Sequence, residues 1–323
     1  MLGFSVIGCR GSESSDDPST VAAANTRTFH FEYLTTVSNF PRDAQLARVW
    51  VPVPQSDEAQ TISNLKVEGV VDHRISTEPV YGNRMVYVDF AAPLPERVEL
   101  RLSFDVERKE SRAVSGLRAE VARERLLAAD YPPAIRDEVR ERAFAAVARA
   151  QSVEEQARGI FDRVLADVDY DKSGHGWGRG DIEHVCGVGK GNCSDFHTLF
   201  IGMARAEKIP SVFEIGFPIP ADKRRGTIDG YHCWAWYRDG DVWRPVDVSE
   251  ADKAPAKADY YFGAVCENRV GLTSGRDLIL SPPQQGAPIS FFIYPYVEID
   301  GRAVDSKSIS PRVDKTLRFA DAS

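Results

Sequence analysis

Gly189-Lys190-Gly191-Asn192-Cys193-Ser194-Asp195-Phe196 sets glycines in front of a cysteine and a helical pattern behind it. Phe196, Leu199, Phe200 and Met203 fall at i, i+3, i+4 and i+7, one apolar face of a helix. Lys208-Ile209-Pro210 marks the expected end of that helix. Cys193 is therefore expected in the first helical turn. There the unpaired N–H groups and the helix dipole favour a thiolate. The same N–H groups can donate to an oxyanion. The preceding glycines allow a tight turn and close approach of a substrate to the backbone. A free cysteine is ordinarily a small buried hydrophobe, so chemistry at Cys193 also requires a base.

The segment from Gly230 to Asp247 offers one. Two β-rich runs flank Asp239-Gly240, a strong hairpin signal. With these two residues as the loop, Arg238 faces Asp241, Trp236 faces Trp243 and His232 faces Asp247. Directly opposite residues share a face of the sheet. The turn chemistry thus sets a carboxylate beside an imidazole, where it can orient the ring and stabilise its cation. Cys233 is expected on the opposite strand face, as a packing residue.

Gly191-Asn192-Cys193, the helix ending in Ala-Glu-Lys-Ile-Pro, His232-Cys233-Trp234 and Pro245-Val246-Asp247 together resemble the transglutaminase-like superfamily, relatives of papain. The resemblance spans about residues 153–249. It implies that Cys193 is the nucleophile, His232 the general base and acid, and Asp247 the orienting residue. It offers Trp177, in Gly174-His175-Gly176-Trp177-Gly178, as the analogue of a tryptophan that stabilises the oxyanion in animal relatives. It implies covalent catalysis through an acyl-enzyme, with hydrolysis of a peptide or amide preferred and no cofactor. Acyl transfer to an amine is the alternative chemistry. A tethered binding protein without enzymatic activity is the alternative of another class.

Around this segment the pattern changes twice. Residues 28–110 contain strand-like runs at Thr28–Leu34, Leu46–Pro54, Arg84–Phe90 and Val98–Phe104, and read as an antiparallel β-sandwich-like domain. Residues 111–323 are expected to hold a helical connector, the catalytic domain and a C-terminal extension packing back on it. Ser152 and Glu155 predict a capping box at the start of a helix ending near Asp167. Tyr131-Pro132-Pro133 separates two helices, and the tail is expected to carry a strand at Ser290–Tyr296. The fold class is α+β, a β-sandwich-like domain followed by a transglutaminase-like (papain-like) catalytic domain.

Residues 1–27 read as a signal remnant and flexible tether. Val6-Ile7-Gly8-Cys9 resembles the end of a bacterial lipoprotein signal, which makes Cys9 a candidate for lipidation. It departs from that pattern in having no Lys or Arg before a short apolar stretch. The expected location is the cell envelope, lipid-anchored or periplasmic, with the cytoplasm as the alternative.

The chain has 323 residues, 43% of them hydrophobic, enough for about two domains with real cores. Five cysteines are too sparse for a disulfide scaffold. A net charge of −8 lacks the basic footprint of a nucleic-acid binder. The expected partner is a peptide or protein substrate, with membrane contact only through the lipid anchor. Cys186, Cys193, His197, His232 and Cys233 could be imagined around zinc, but the spacing fits no common zinc pattern. Asp167-Val168-Asp169-Tyr170-Asp171 begins like an EF-hand, yet Lys172 and Gly178 stand where Gly and Glu are needed. Gly187-Val188-Gly189-Lys190 lacks the spacing of a phosphate loop. If the protein is exported, Cys186 could pair with Cys233 or Cys266.

Overall fold

The computed structural model describes residues 24–117, 121, 123–128, 135–305 and 307–322. Cys9, the rest of the tether before residue 24, and Tyr131-Pro132-Pro133 lie outside the described residues. Six strands come first: β1 (Thr26–Ser38), β2 (Leu46–Val53), β3 (Gln60–Glu68), β4 (Arg74–Thr77), β5 (Arg84–Ala91) and β6 (Arg97–Lys109). Then follow α1 (Arg123–Leu126), α2 (Asp137–Val147), α3 (Val153–Asp167), β7 (Asp169–Tyr170), α4 (Ile182–Val188), β8 (Lys190–Gly191) and α5 (Cys193–Ala206). The third stretch holds β9 (Ser211–Pro218), β10 (Arg225–Thr227), β11 (His232–Asp239), β12 (Val242–Val246), α6 (Val248–Lys253) and α7 (Ala258–Tyr261). It ends with β13 (Arg269–Ser274), β14 (Tyr296–Ile299), β15 (Arg302–Ala303) and β16 (Arg312–Asp321).

Two five-stranded sheets form the sandwich, in the orders β10-β16-β1-β6-β3 and β15-β14-β2-β5-β4. Period-two alternation explains their packing. Phe29, Phe31 and Tyr33 of β1 are fully buried, as are Leu100, Leu102 and Phe104 of β6. They share one core cluster with Val49, Val51 and Val53 of β2. The opposite face of β2 and β5 carries Trp50, Met85 and Tyr87, which join Trp234, Trp236 and Trp243 in a second cluster. The second sheet is thus apolar on both faces, one toward the sandwich and one toward the remainder of the protein.

That remainder is built on a third sheet, ordered β12-β11-β9-β13, with α5 lying against β11 and β9. All pairings within it are antiparallel. Phe217 of β9 stacks on Phe31 at 5.7 Å between ring centroids, so the sandwich core runs directly into this sheet. The Gln60 side chain accepts from the Gly271 N–H at 2.9 Å and donates to the Gly271 carbonyl at 2.9 Å. One amide side chain thereby satisfies both backbone groups of a buried strand residue.

Three local expectations are corrected. The tail strand lies at Tyr296–Ile299 rather than Ser290–Tyr296. Pro295 immediately precedes it and has no N–H to give to a ladder. The C-terminal extension does not simply pack back on the catalytic part: β14 pairs with β2, and β16 pairs with β1 and β10. Leu317 and Phe319 alternate into the sandwich core and drive that pairing. At the start of α3, Ser152 accepts from the Glu155 N–H at 3.1 Å, but the Glu155 carboxylate takes the Gln151 N–H at 2.7 Å rather than closing the expected box.

Candidate active site

Cys193 is the first residue of α5. Asn192 caps the helix through its side-chain oxygen, which accepts from the Ser194 N–H at 2.8 Å. Asp195 completes the reciprocal box by accepting from the Asn192 N–H at 2.9 Å. The same carboxylate holds the Gly178 N–H at 2.6 Å and the Gly180 N–H at 3.3 Å. The helix head and the glycine-rich loop before α4 are therefore fixed by one buried side chain. Phe196, Leu199, Phe200 and Met203 are all fully buried, as the spacing predicts.

His232 opens β11, and Asp247 follows β12 as the N-cap of α6. The His232 Nε2–H donates to Asp247 Oδ2 at 2.6 Å. Asp247 Oδ1 serves the helix, accepting from the Glu250 N–H at 3.1 Å and the Ser249 hydroxyl at 3.2 Å. The expected pair forms, but in a different register. Arg238 pairs with Trp243 and Trp236 with Pro245, so Gly240 and Asp241 are the loop residues. Gly240 supplies the positive φ, +58°, and Asp239 stays in the strand, held by Arg244 Nε at 3.0 Å. Asp247 lies diagonally across from His232 rather than directly opposite. The slip is by two residues, so side-chain parity is kept and both groups remain on one face.

The Cys193 thiol is under the influence of His232, whose charge helps to lower it. Because Nε2 is engaged by Asp247, Nδ1 is the nitrogen left to face the sulfur. A hydrogen bond donated by Cys233, together with the hydrogen bond and charge of His232, holds the Cys193 thiol well below its ordinary range despite burial. Burial pushes the His232 imidazole down, but the Asp247 carboxylate and the bond to Cys193 overcome it and lift the ring to about 9. Burial raises Asp247, and the His232 charge and hydrogen bond outweigh it, keeping the carboxyl well below the usual carboxylate range. The three shifts describe one thiolate–imidazolium pair beside a carboxylate.

Several residues were not read as site residues in the sequence. His197, one turn after Cys193, is fully buried. Its Nδ1–H donates to the Cys193 carbonyl at 2.7 Å and its Nε2 accepts from the Val248 N–H at 3.1 Å. These bonds fix one neutral tautomer, and burial lowers its pKa. His197 therefore ties α5 to the turn that carries Asp247. The Arg276 guanidinium lies behind the helix head, donating to the Ser194 carbonyl at 3.0 Å and the Thr198 hydroxyl at 2.7 Å. Cys233 packs in the core as expected, and its Sγ lies 3.6 Å from His197 Nδ1. The i, i+4 spacing of Cys193 and His197 was the one available signal for His197.

Trp177 is half-buried in the loop that Asp195 holds, with Lys172 Nζ 6.0 Å from its ring centroid. Cys186, Cys193 and Cys233 are free thiols, so the Cys186 pairings do not form. Among the described residues, no group of three or more His, Cys, Asp or Glu side chains is arranged to hold a metal ion. No described helix is long and apolar enough to cross a membrane. A cleft of about 480 Å³ opens beside His232, with Tyr170, Tyr231, Glu250, Lys253 and Arg269 in its walls.

Residues 140–248 match the family model of the transglutaminase-like superfamily. An uncharacterized protein of Haemophilus influenzae is 26% identical over 331 residues, covering 87% of this chain and 89% of its own length. The crystal structure of a candidate cysteine protease from Cytophaga hutchinsonii superposes with a TM-score of 0.57 at 14% identity, over 91% of this chain and 98% of that chain. The periplasmic domain of TgpA from Pseudomonas aeruginosa gives a TM-score of 0.39 at 12% identity, over 76% of this chain and 98% of that chain. The Cytophaga structure shares the fold over 91% of this chain. Residues 140–248 of this chain form a domain of the transglutaminase-like superfamily.

Proposed function

We propose that the protein is a thiol hydrolase acting on a peptide or amide through Cys193, His232 and Asp247. The observation that carries this reading is the 2.6 Å contact between His232 and Asp247, with His232 in turn lowering the Cys193 thiol. The Cys193 thiolate attacks the amide carbonyl carbon, and the carbonyl electrons move to oxygen. The Cys193 backbone N–H, which the Asn192–Asp195 box does not use, is the donor assigned to that oxyanion. His232 gives its Nδ1 proton to the leaving amine as the C–N bond breaks, and a thioester remains. Water entering from the cleft loses a proton to His232, attacks the thioester and regenerates the thiolate. Asp247 holds the ring orientation and stabilises the imidazolium throughout.

Hydrolysis is preferred because the cleft beside His232 is open to water and because the fold is shared with a protein described as a candidate cysteine protease. Transfer to an amine uses the same thioester with a different acceptor. Incubation with glutamine-containing and peptidoglycan-like peptides, followed by acid quench and intact mass measurement, tests the reading. A peptide-sized adduct on wild type that is missing from Cys193→Ala supports it. An adduct that persists in Cys193→Ala overturns it. Released acid or amine cross-link then separates hydrolysis from transfer.

A location in the cell envelope is proposed from the Val6–Cys9 sequence alone. Mass measurement of the native N-terminus tests it: a diacylglycerol-modified Cys9 supports lipid anchoring, and an unmodified Met1 refutes it.

A further inference from the structure

Cys233 forms and breaks no bond in the reaction proposed above, yet it neighbours the nucleophile and helps to hold its thiol low. It follows His232 on β11 and is fully buried. The two thiols act on each other, Cys193 being lowered and Cys233 raised. The Cys233 Sγ also lies 3.6 Å from His197 Nδ1, the nitrogen that holds the Cys193 carbonyl at 2.7 Å. One imidazole thus registers both cysteines against each other. Both sulfurs are free thiols. They differ in acidity: burial and the neighbouring Cys193 push the Cys233 thiol up, whereas Cys193 is lowered. A thiolate with a protonated thiol against it is the arrangement in which one sulfur is oxidised first and the other closes on it.

We propose that Cys233 is a resolving thiol, which closes an intramolecular disulfide with Cys193 when peroxide oxidises the nucleophile. The Cys193 thiolate attacks one oxygen of hydrogen peroxide. The S–O bond forms, the O–O bond breaks, and the departing hydroxide collects a proton as water. Cys193 becomes a sulfenic acid, oxidised by two electrons as the peroxide is reduced by two. The Cys233 sulfur then attacks the sulfenic sulfur. The S–S bond forms, the S–O bond breaks, and hydroxide leaves with the Cys233 proton as a second water. Two thiols and one peroxide give one disulfide and two waters. The disulfide stops Cys193 short of the sulfinic acid, which thiols do not reverse. A dithiol reductant returns both cysteines to their starting state.

This inference shares with the proposed function the Cys193 thiolate and the influence of Cys233 that lowers it. Its test uses the reduced full chain, treated with hydrogen peroxide, blocked with N-ethylmaleimide, digested and mapped by mass. The expected result is a Cys193–Cys233 linked peptide two hydrogens lighter than its parts. Iodoacetamide labelling of Cys193 is lost in step and returns fully with dithiothreitol. In Cys233→Ser, Cys193 accumulates as the sulfinic acid and labelling does not return. Cys233→Ala gives a second check should the serine variant fold poorly. The proposal is overturned if wild-type Cys193 proceeds to the sulfinic acid with Cys233 untouched. It is equally overturned if Cys193 pairs with Cys186 or with a second chain, or if the Cys233 variants recover as fully as wild type. The linked peptide is read by mass and does not depend on amide turnover. A linked peptide without turnover sinks only the proposed function, and turnover without a linked peptide sinks only this inference.

Discussion

Replacing Asp247 with asparagine removes one charge and keeps the shape. Oδ1 of an asparagine can still cap α6 through the Glu250 N–H, now at 3.1 Å. The amide nitrogen then faces His232 Nε2, where a carboxylate oxygen now accepts at 2.6 Å. Two consequences follow for the imidazole. It loses its acceptor and tends toward the tautomer protonated at Nδ1, the wrong form for a base. It also loses the charge that opposes burial. His232 stands at about 9 against an ordinary 6.5. At 1.36 kcal/mol per decade this difference is worth about 3 kcal/mol, or on the order of 10²–10³ in the population of imidazolium. The assay is iodoacetamide labelling of Cys193 between pH 5 and 10. Wild type is expected to label at a rate that stays high at pH 6. Asp247→Asn is expected to fall at pH 6 on the order of 10²-fold or more and to recover toward the ordinary thiol range near about 8.5. The hydrogen bond from Cys233, the largest influence on the thiol, is expected to leave some residual shift. The unfolding temperature should move by only a few degrees, because the cap survives. An unchanged labelling profile in a folded variant would refute the reasoning, since it would mean that Cys233 and the helix head alone hold the thiolate.

The same carboxylate predicts an acid dependence of stability. Its pKa is depressed on folding, so its contribution is present above about pH 4 and is lost as pH falls; the stability difference between wild type and Asp247→Asn, read by urea unfolding, should shrink below that pH. His197→Phe leaves the buried Cys193 carbonyl and Val248 N–H without their 2.7 and 3.1 Å partners. A loss of about 2–5 kcal/mol is expected in the same experiment. Arg276→Met removes the donor to the Ser194 carbonyl, the Thr198 hydroxyl and, at 3.1 Å, the Ser290 hydroxyl. It should cost about 3–5 kcal/mol by urea midpoint, with only partial recovery in Arg276→Lys because an ammonium cannot fork between these acceptors. In Gly216→Ala the new Cβ would meet the Val270 carbonyl oxygen at 1.9 Å, beside the bulge in β13. A loss of about 3 kcal/mol or more is expected, measured as a fall in soluble yield and melting temperature.

The parts legible in the sequence were those governed by local periodicity and capping. The apolar face of α5, the Ser152 cap and the alternating runs of β1, β2, β5 and β6 depend on residues within one or two turns of each other. The strand β3 was missed because Asn64 takes a positive φ, +53°, and a bulge between Ser63 and Lys66 breaks the alternation. The His232–Asp247 contact was foreseen through a hairpin register that proved to be off by two. Parity survives such a slip, whereas a slip by one would have turned Asp247 away. His197, Cys233 and Arg276 could not be read in the same way. Each acts across α5, β11 or the segment after β13, and those elements meet only through tertiary packing. The placement of β16 was hidden for a similar reason, since nothing local says that Arg312–Asp321 belongs beside Thr26–Ser38.

That pairing bears on how the protein is made. The cleft wall runs through Thr227 to His232, and its strand β10 is hydrogen-bonded to β16 alone among the described strands. During synthesis α5, β11 and α6 emerge well before Arg312–Asp321. Closing the first sheet joins residues nearly a whole chain apart, a high contact order that slows folding. β16 is thus the last-synthesised strand of the protein and the one that completes the support of the cleft wall.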